Sequence, residues 1–568
     1  MSGVIKKFCN LQKSSRCAYA RATEKYPVNK KYIFYEAFGG RGMLCNPHAL
    51  FLEFLKRADF EKYIHIWALE DFEDNRKQIE KYAEYKNVRF VQYDSRQYAK
   101  YLAQAGFLIN NVAFPGYFAK RKEQTYINTW HGISLKTVGF DVPDSNVNAG
   151  NSVRNLPAAD YLISADDHMT QIYKKAYKLE GFGKQKILEA GQPRNDRYFH
   201  TVREEIFRDL KEAGVDVDME KKIILYAPTW RGEKYGEPDT DLGIYLEMIE
   251  TVRRQMNPRK YQILVKPHQI VYRHIRNSGK LTGEFVPATI DTNELLSVTD
   301  VLISDYSSIY FDYLVSGKPI LFFVPDMKAM ENGRGLYFGR EKLPGPVAEN
   351  FEELAGFLED IKAAVEPFRE RYGREQKWAC PVDDGNVCRR ILEKVFDGKD
   401  SCKVAECTLA EEKRKSTVLL WAGTMKAGKK TEEISDFLEK VDREKLDVTV
   451  LAENTKVPQE QERINRIPGK IRVFYKRMSC NGTVSEIIRE KLFEKINAGN
   501  LPLGKLIKPG KGFYEREASR LFGKSTFDYI LVFPDDSLLY REMTRYMSGN
   551  RIEVGSLAEI VLDNLISR

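Results

Sequence analysis

The chain lacks most of the signatures that place a protein quickly. It has no run of about 18 apolar residues, so nothing in it reads as a transmembrane helix. Its first residues lack the apolar core of a signal peptide. Its 8 cysteines, Cys9, Cys17, Cys45, Cys380, Cys388, Cys402, Cys407 and Cys480, form no CxxC pair. In a chain of 568 residues that scatter suits a reduced, cytoplasmic protein better than a disulfide framework. Zinc-finger spacing, a Gly-rich RNA motif and basic-aromatic repeats are all missing, which argues against a nucleic-acid partner. Charge of one sign is scarce too: 90 basic against 81 acidic residues leave +9, a weak preference for phosphates, an anionic membrane surface or an anionic polymer. Two glycine-rich loops fall short of nucleotide fingerprints. Phe38-Gly39-Gly40-Arg41-Gly42 is not G-x-G-x-x-G, and the Lys-rich loop from Lys426 to Lys430 lacks the P-loop spacing.

What is present is the material of folded α/β domains. Hydrophobic residues make up 43% and aromatics 12%, and the length suggests several domains at about 150 residues each. Short apolar runs alternate with helical patterns from Lys31–Glu36 onward, the sign of parallel, Rossmann-like sheets. The clearest unit runs from Thr299 to Asp326. Val301–Ser304 reads as a buried strand, Asp305-Tyr306-Ser307-Ser308 as a turn with N-cap chemistry, and Ile309 to Val315 as a helix. Gly317 and Pro319 stop that helix before a second strand from Ile320 to Val324. Ligands of open α/β sheets sit at the carboxyl ends of strands, where helix N-termini attract phosphate. Asn46 before Pro47 reads as an N-cap.

Other polar residues fall at equivalent strand-end turns. His131-Gly132 ends the run from Tyr126, and Arg194 and Asp196 sit in the Gly/Pro turn after Ile187. Thr229 and Arg231 follow the strand that starts at Lys222, and Lys266 and His268 follow the strand from Tyr261. Two facing α/β halves with such turns make a cleft in which Arg and Lys suit a pyrophosphate and a His suits proton removal. Asp216/Asp218 and Asp239/Asp241 have Asp-x-Asp spacing, but the first pair lies at the wrong end of its strand and the second reads as a solvated turn. No metal site is assigned, and no cofactor is expected.

The ordered series NTWHG, ADYLIS, GQPRND, LYAPTWR, KPH, ISDYSSIYFDY, GKPILFF, RGLYF, PGPV and DDGN, over about residues 30 to 397, resembles the CDP-glycerol glycerophosphotransferases of teichoic acid synthesis. These are GT-B-fold, membrane-associated enzymes of the cytoplasmic face, and they include primases and polymerases. The resemblance implies transfer of a polyol phosphate from a CDP-activated donor, with release of CMP, to a lipid-linked or polymeric polyol or saccharide acceptor. It implies that His131 is the general base and that His268 stabilises donor phosphate charge. Arg231, Ser307 and Ser308 would contact the pyrophosphate, with Thr229 and Lys266 beside them. Asp305 and Asp312 would serve the ribose or the local structure, and Arg194, Asp196 and Gly132 would line the cleft. Gln269 after KPH and Gly232-Glu233 after PTWR depart from the pattern and leave CDP-ribitol open as donor. A GT-B glycosyltransferase using a nucleotide sugar is the alternative.

The expected organisation is a basic segment 1–30 suited to membrane contact, an acceptor-side Rossmann-like domain 31–215, and a donor-binding Rossmann-like domain 216–397. A linker 398–415 and an accessory α/β domain 416–568 follow. The last lies outside the resemblance and suits acceptor-polymer binding, homo-oligomerisation or a decayed enzyme.

Overall fold

The computed structural model describes residues 14–142, 150–232, 238–276, 278–326, 335–469, 471–476, 480–498 and 507–557. Three sheets organise them. The first holds β1 (Asn29–Glu36), β2 (Ile64–Leu69), β3 (Val88–Gln92), β4 (Ala105–Asn110), β5 (Thr125–Asn128), β6 (Tyr161–Ser164) and β7 (Lys186–Glu189), all parallel. The second holds β8 (Lys222–Tyr226), β9 (Tyr261–Val265), β10 (Val301–Ser304), β11 (Ile320–Phe323) and β12 (Val347–Ala348), also parallel. A further strand, β13 (Lys403–Glu406), joins the first sheet at its edge, antiparallel to β7. The third sheet is β14 (Ser416–Gly423), β15 (Leu446–Glu453), β16 (Arg472–Lys476), β17 (Tyr529–Val532) and β18 (Asn550–Glu553), in the order β16-β15-β14-β17-β18. Two Rossmann-like units facing each other give a GT-B-like arrangement, with a third α/β unit added.

Side-chain alternation along the strands explains how the sheets share a core. Successive strand residues point to opposite faces. Phe34, Ile66, Leu108, Tyr126, Leu162 and Ile187 of the first sheet enter one large apolar cluster, and their neighbours Ile33, Tyr35, Trp67, Ile109, Ile127, Ile163 and Leu188 enter another. The second sheet sends Ile223 and Leu225 into the same large cluster, and the third sends Leu419, Leu451 and Phe474. One face of every sheet therefore packs into a continuous interior.

Three expected boundaries change. Residues 398–415 are not a simple linker, since β13 lies within them and pairs with β7. The helix Val387–Phe396, placed by sequence at the end of the second domain, buries Val387, Cys388, Ile391 and Leu392 with Leu50, Phe54 and Trp67 of the first. In the N-terminal segment, the helix Ser15–Lys25 buries Cys17, Tyr19, Ala20 and Ala22, and the Tyr19 hydroxyl donates to Ala119 O at 2.6 Å. Its apolar face is spent on the protein interior. The earlier part of that segment, with Lys6, Lys7, Phe8 and Lys13, lies outside the described residues, as do Arg334 of the RGLYF motif and Gly333 before it.

The third unit is fastened to the first by buried polar contacts. Arg154 donates to Phe118 O at 2.9 Å and to Arg520 O at 3.0 Å, and Arg520 is paired with Glu517. Asn481 donates to Tyr117 O at 2.7 Å, and Arg472 Nε to Lys178 O at 3.0 Å. A Cβ on Gly523 would lie 2.4 Å from the Pro157 carbonyl carbon, so this contact requires glycine.

Candidate active site

The cleft is built from turns at strand carboxyl ends. After β5, the chain passes through Trp130 with φ 50° and Gly132 with φ 135°, a tight reversal that sets His131 between them. Asn46 holds this loop: its amide donates to Thr129 O at 3.1 Å and Trp130 O at 3.0 Å, and its carbonyl oxygen accepts from Arg194 N at 3.0 Å. The helix begins one residue before Asn46, at Cys45, so Asn46 is a strut for the histidine loop and not the expected N-cap.

Both histidines are placed with a defined tautomer. His131 Nδ1 lies 2.9 Å from Asn111 O. A carbonyl only accepts, so Nδ1 carries the proton and Nε2 keeps its lone pair. His268 is the N-cap of the helix Gln269–Ile275, and its Nδ1 accepts from Ile270 N at 3.3 Å. Its neutral form therefore carries the proton on Nε2. One ring offers a base, the other a hydrogen-bond donor. Burial pushes His131 down to about 4, with the Arg194 charge adding to the effect and the Asn111 bond opposing it. Burial also lowers His268 to about 4, followed by the charges of Arg41, Lys136 and His131. The two histidines thus lie within electrostatic reach of each other.

Arg194 bolts the two halves together. Its Nε and Nη2 donate to Asp312 Oδ1 and Oδ2 at 3.2 and 2.7 Å, and its Nη1 donates to His131 O at 2.9 Å and to Cys45 Sγ at 3.3 Å. A Cβ on Gly132 would sit 2.7 Å from Arg194 Nη2 and 3.4 Å from Ser308 Oγ. Gly132 thus lets the histidine loop approach the Ser308 turn. Two further bonds cross the same seam: Cys45 N donates to Asp291 Oδ2 at 2.9 Å, and Arg197 pairs with Glu294 at 2.6 Å.

Several residues expected to meet the donor make structural contacts. Arg231 directs Nε and Nη2 to Asp326 at 2.8 and 2.9 Å, and Nη1 to Asp305 at 3.3 Å. Asp305, 1% exposed, accepts from Thr229 N at 2.8 Å and so fixes that turn. Lys266 is buried, and its ammonium donates to Pro287 O at 2.5 Å and Ile290 O at 2.8 Å. Asp312 is the partner of Arg194 described above. Asp196 accepts from Val387 N and Cys388 N, at 3.1 and 2.7 Å, at the start of the returning helix. Ser307 and Ser308 are half-buried, with Ser308 as the N-cap of Ile309–Tyr313 and no side-chain cap bond. The Asp-x-Asp pairs cap turns: Asp218 Oδ1 accepts from Glu220 N, and Asp239 Oδ1 from Asp241 N.

The structure also brings in cations that no motif marked. Arg41, in the glycine loop after β1, places Nη1 3.4 Å from Gln269 Oε1, next to His268. Lys136, five residues after His131, places Nζ 3.1 Å from Thr229 Oγ1. Both reach from the first unit to the second. Such residues carry no spacing signal; their position after a motif histidine and within a glycine loop is the only trace of them in the sequence.

Fold and site together define a GT-B-like transferase whose histidines meet in a basic cleft between two Rossmann-like units. The family model for CDP-glycerol:poly(glycerophosphate) glycerophosphotransferase matches residues 18–397, and the chain belongs to that family. It is 28% identical over 387 residues to the teichoic acid poly(glycerol phosphate) polymerase of Bacillus subtilis (strain 168), covering 66% of this chain and 49% of that protein. Against the teichoic acid glycerol-phosphate transferase of Staphylococcus aureus (strain NCTC 8325 / PS 47) it is 29% identical over 380 residues, covering 65% and 93%. A solved structure of the wall teichoic acid polymerase TagF, a histidine-to-asparagine variant soaked with CDPG, aligns with a TM-score of 0.56 and 25% identity, covering 67% of this chain and 93% of that one.

Proposed function

We propose that this enzyme transfers glycerol phosphate from CDP-glycerol to an acceptor hydroxyl and releases CMP. The observation that carries the reading is the pairing of tautomers. His131 holds its Nδ1 proton on Asn111 O, at 2.9 Å, and keeps Nε2 for an incoming proton. His268, with Nδ1 engaged by Ile270 N, keeps an N–H for a phosphate oxygen. In the reaction, the acceptor oxygen forms a bond to the phosphorus that carries glycerol, while the bond from that phosphorus to the bridging oxygen breaks. The electron pair leaves with CMP. The acceptor's proton goes to His131 Nε2. Negative charge developing on the phosphoryl oxygens is met by the His268 N–H and nearby cations, which contribute more in a water-poor cleft than in bulk solvent. A bound donor dianion also raises the affinity of His131 for a proton, offsetting the burial that depresses it. Ser307 and Ser308 offer hydroxyls to the donor from the opposite turn.

The acceptor fits a lipid-linked or polymeric polyol presented at the inner face of the cell membrane. Among the described residues no helix is long and apolar enough to cross a membrane. A donor screen tests the reading: CMP release with CDP-glycerol is expected, and release only from CDP-ribitol, or UDP release from UDP-sugars, overturns it. Flotation with anionic vesicles tests the membrane assignment, and protein that stays at the bottom of the gradient refutes it.

A further inference from the structure

We propose that Asp383, in the DDGN turn, is the positioning residue that sets Arg194 against the histidine loop. Turnover through His131 then depends on a carboxyl group that acts through this turn. That dependence rests on the CDP-glycerol reading; the placement of Arg194 rests on the geometry.

Asp383 lies between the helix Arg369–Ala379 and the returning helix Val387–Phe396. Its Oδ1 accepts from Gln192 N at 3.1 Å and from Asn195 Nδ2 at 2.8 Å, the residues on either side of Pro193-Arg194. One oxygen thus clamps both ends of the turn that carries Arg194. Gly191 makes room for it: its φ is 97°, and a Cβ there would lie 2.9 Å from Asp383 Oδ2. Asn46 holds the turn from another side, accepting from Arg194 N at 3.0 Å and donating to Gln192 Oε1 at 3.4 Å. Asn195 Oδ1 accepts from Asn293 Nδ2 at 3.1 Å, in the helix Thr292–Val298 of the second unit. The guanidinium leaves this fixed turn toward His131 O and Asp312.

The same segment also touches the Asp312 helix. Cys380 Sγ donates at 3.4 Å to the carbonyl of Phe311, the residue before Asp312, and the Trp378 ring lies 5.8 Å from that of Phe311. Residues 378–383 therefore hold the Arg194 turn on one side and the Asp312 helix on the other. The neighbouring Asp384 does neither: its Oδ1 accepts from Asn386 N at 3.0 Å and Arg390 Nη1 at 2.8 Å. Asp383 Oδ2 is buried and, among the described residues, has no hydrogen-bond partner. Burial, with the charges of Asp196 and Asp312, outweighs the two bonds at Oδ1 and pushes this carboxyl up to about 8. At pH 7 it is largely the neutral acid, whose shape asparagine copies.

Asp383→Ala is expected to lower kcat for CMP release from CDP-glycerol by at least about tenfold, the equivalent of one hydrogen bond at the reacting group. KM should stay within about threefold, because the turn acts on the base and not on the donor. Asp383→Asn keeps the Oδ1 acceptor and should hold kcat within about threefold, and Asp384→Ala should hold it in full. In an Arg194→Met/Asp312→Leu background, Asp383→Ala should cost less than about twofold more, since its route to His131 is already cut. Spectra of the full chain labelled with 15N-histidine give a readout free of the donor: the His131 ring resonances should move in Asp383→Ala and stay in Asp384→Ala. Should Asp383→Ala not fold, Asn195→Ala removes one of the two bonds from the other side and carries the same tests. Unchanged kcat in the folded variant, a loss that adds in full to that of the Arg194 background, or unmoved His131 resonances overturns the assignment. Resonances that move in a protein that releases no CMP from CDP-glycerol uphold the placement of Arg194 and refute the donor reading instead.

Discussion

The first and third sheets each carry a glycine-rich loop after a leading strand, and the two loops meet different company. After β1, Arg41 extends to a neutral amide beside His268, in a cleft where Lys136, His131 and His268 converge. After β14, Lys430 is held at 2.5 Å by Asp536 and at 3.1 Å by Asp535, carboxylates that follow β17. The third sheet has the strand order of a nucleotide-binding unit, with β14 and β17 adjacent at the point where the order reverses. Its basic loop is already neutralised there by the protein's own acids. Rossmann-like topology provides the place for an anion, and in the third sheet that place holds acids of the protein itself. The third unit is fastened to the first through Arg154, Arg520 and Asn481.

The sharpest contrast comes from His131→Ala against Lys430→Met. Loss of the base should lower kcat by about 10²–10⁴-fold. Loss of the third-sheet lysine should leave kcat within roughly twofold in the folded enzyme. Initial rates of CMP release measure both, and comparable losses in the two variants erase the distinction between the sheets.

The Arg194–Asp312 pair is next in size. Asp312→Asn leaves Arg194 buried beside His131 O without its charge partner, a loss of about 3–5 kcal/mol in stability by the usual cost of orphaning a buried charge. Urea unfolding reads it. Arg194→Met/Asp312→Leu should recover much of that stability, because removing both charges removes the desolvation penalty. It should not recover kcat, since the His131 carbonyl loses its Arg194 donor. Recovery of both would reduce the pair to ordinary packing.

These residues show which parts of the molecule were legible in the sequence. Strand positions were, because a run such as Val301–Ser304 must be buried on both faces whatever surrounds it. His131 and His268 were too, since each ends a strand at a turn. Pairings across the cleft were not. Nothing local indicates that Asp312 answers Arg194, 118 residues away, or that Asp326 answers Arg231, 95 residues away. The carboxylates that pair with Arg231 arrive only on folding. Residues 398–415 looked like a linker because β13 is short, polar and paired on one edge, so no hydrophobic period marks it.

A smaller effect appears in the pH dependence of the two histidines. His131 and His268 fall from an ordinary 6.5 to about 4 in the folded protein, mainly through burial. The unfolded chain therefore binds more protons between these values. Stability contributed by the two rings is complete above about 6.5 and is lost as pH falls toward 4. The acid limb of kcat/KM for the free enzyme should likewise break well below 6.5. The limb of kcat, with donor bound, should lie at higher pH because the dianion favours the protonated ring. A single break near 6.5 in both profiles would mean that the cleft neither desolvates these rings nor surrounds them with positive charge.

The smallest effect tests the comparison from the silent side. If Asp535 and Asp536 are what keep the third sheet from holding an anion, replacing both should create a weak site. Asp535→Asn/Asp536→Asn releases Lys430 while keeping hydrogen-bonding side chains; Asp536 Oδ2 now accepts from Phe533 N at 2.8 Å. Pyrophosphate titration should then show an added site on the order of millimolar, the strength of one or two charge-assisted contacts without a shaped pocket. Its dependence on Lys430 would locate it. If no binding appears although the fold is intact, charge balance alone does not distinguish the two sheets. The difference would then lie in shape: the cleft has two walls that close on a ligand, and the third sheet has one.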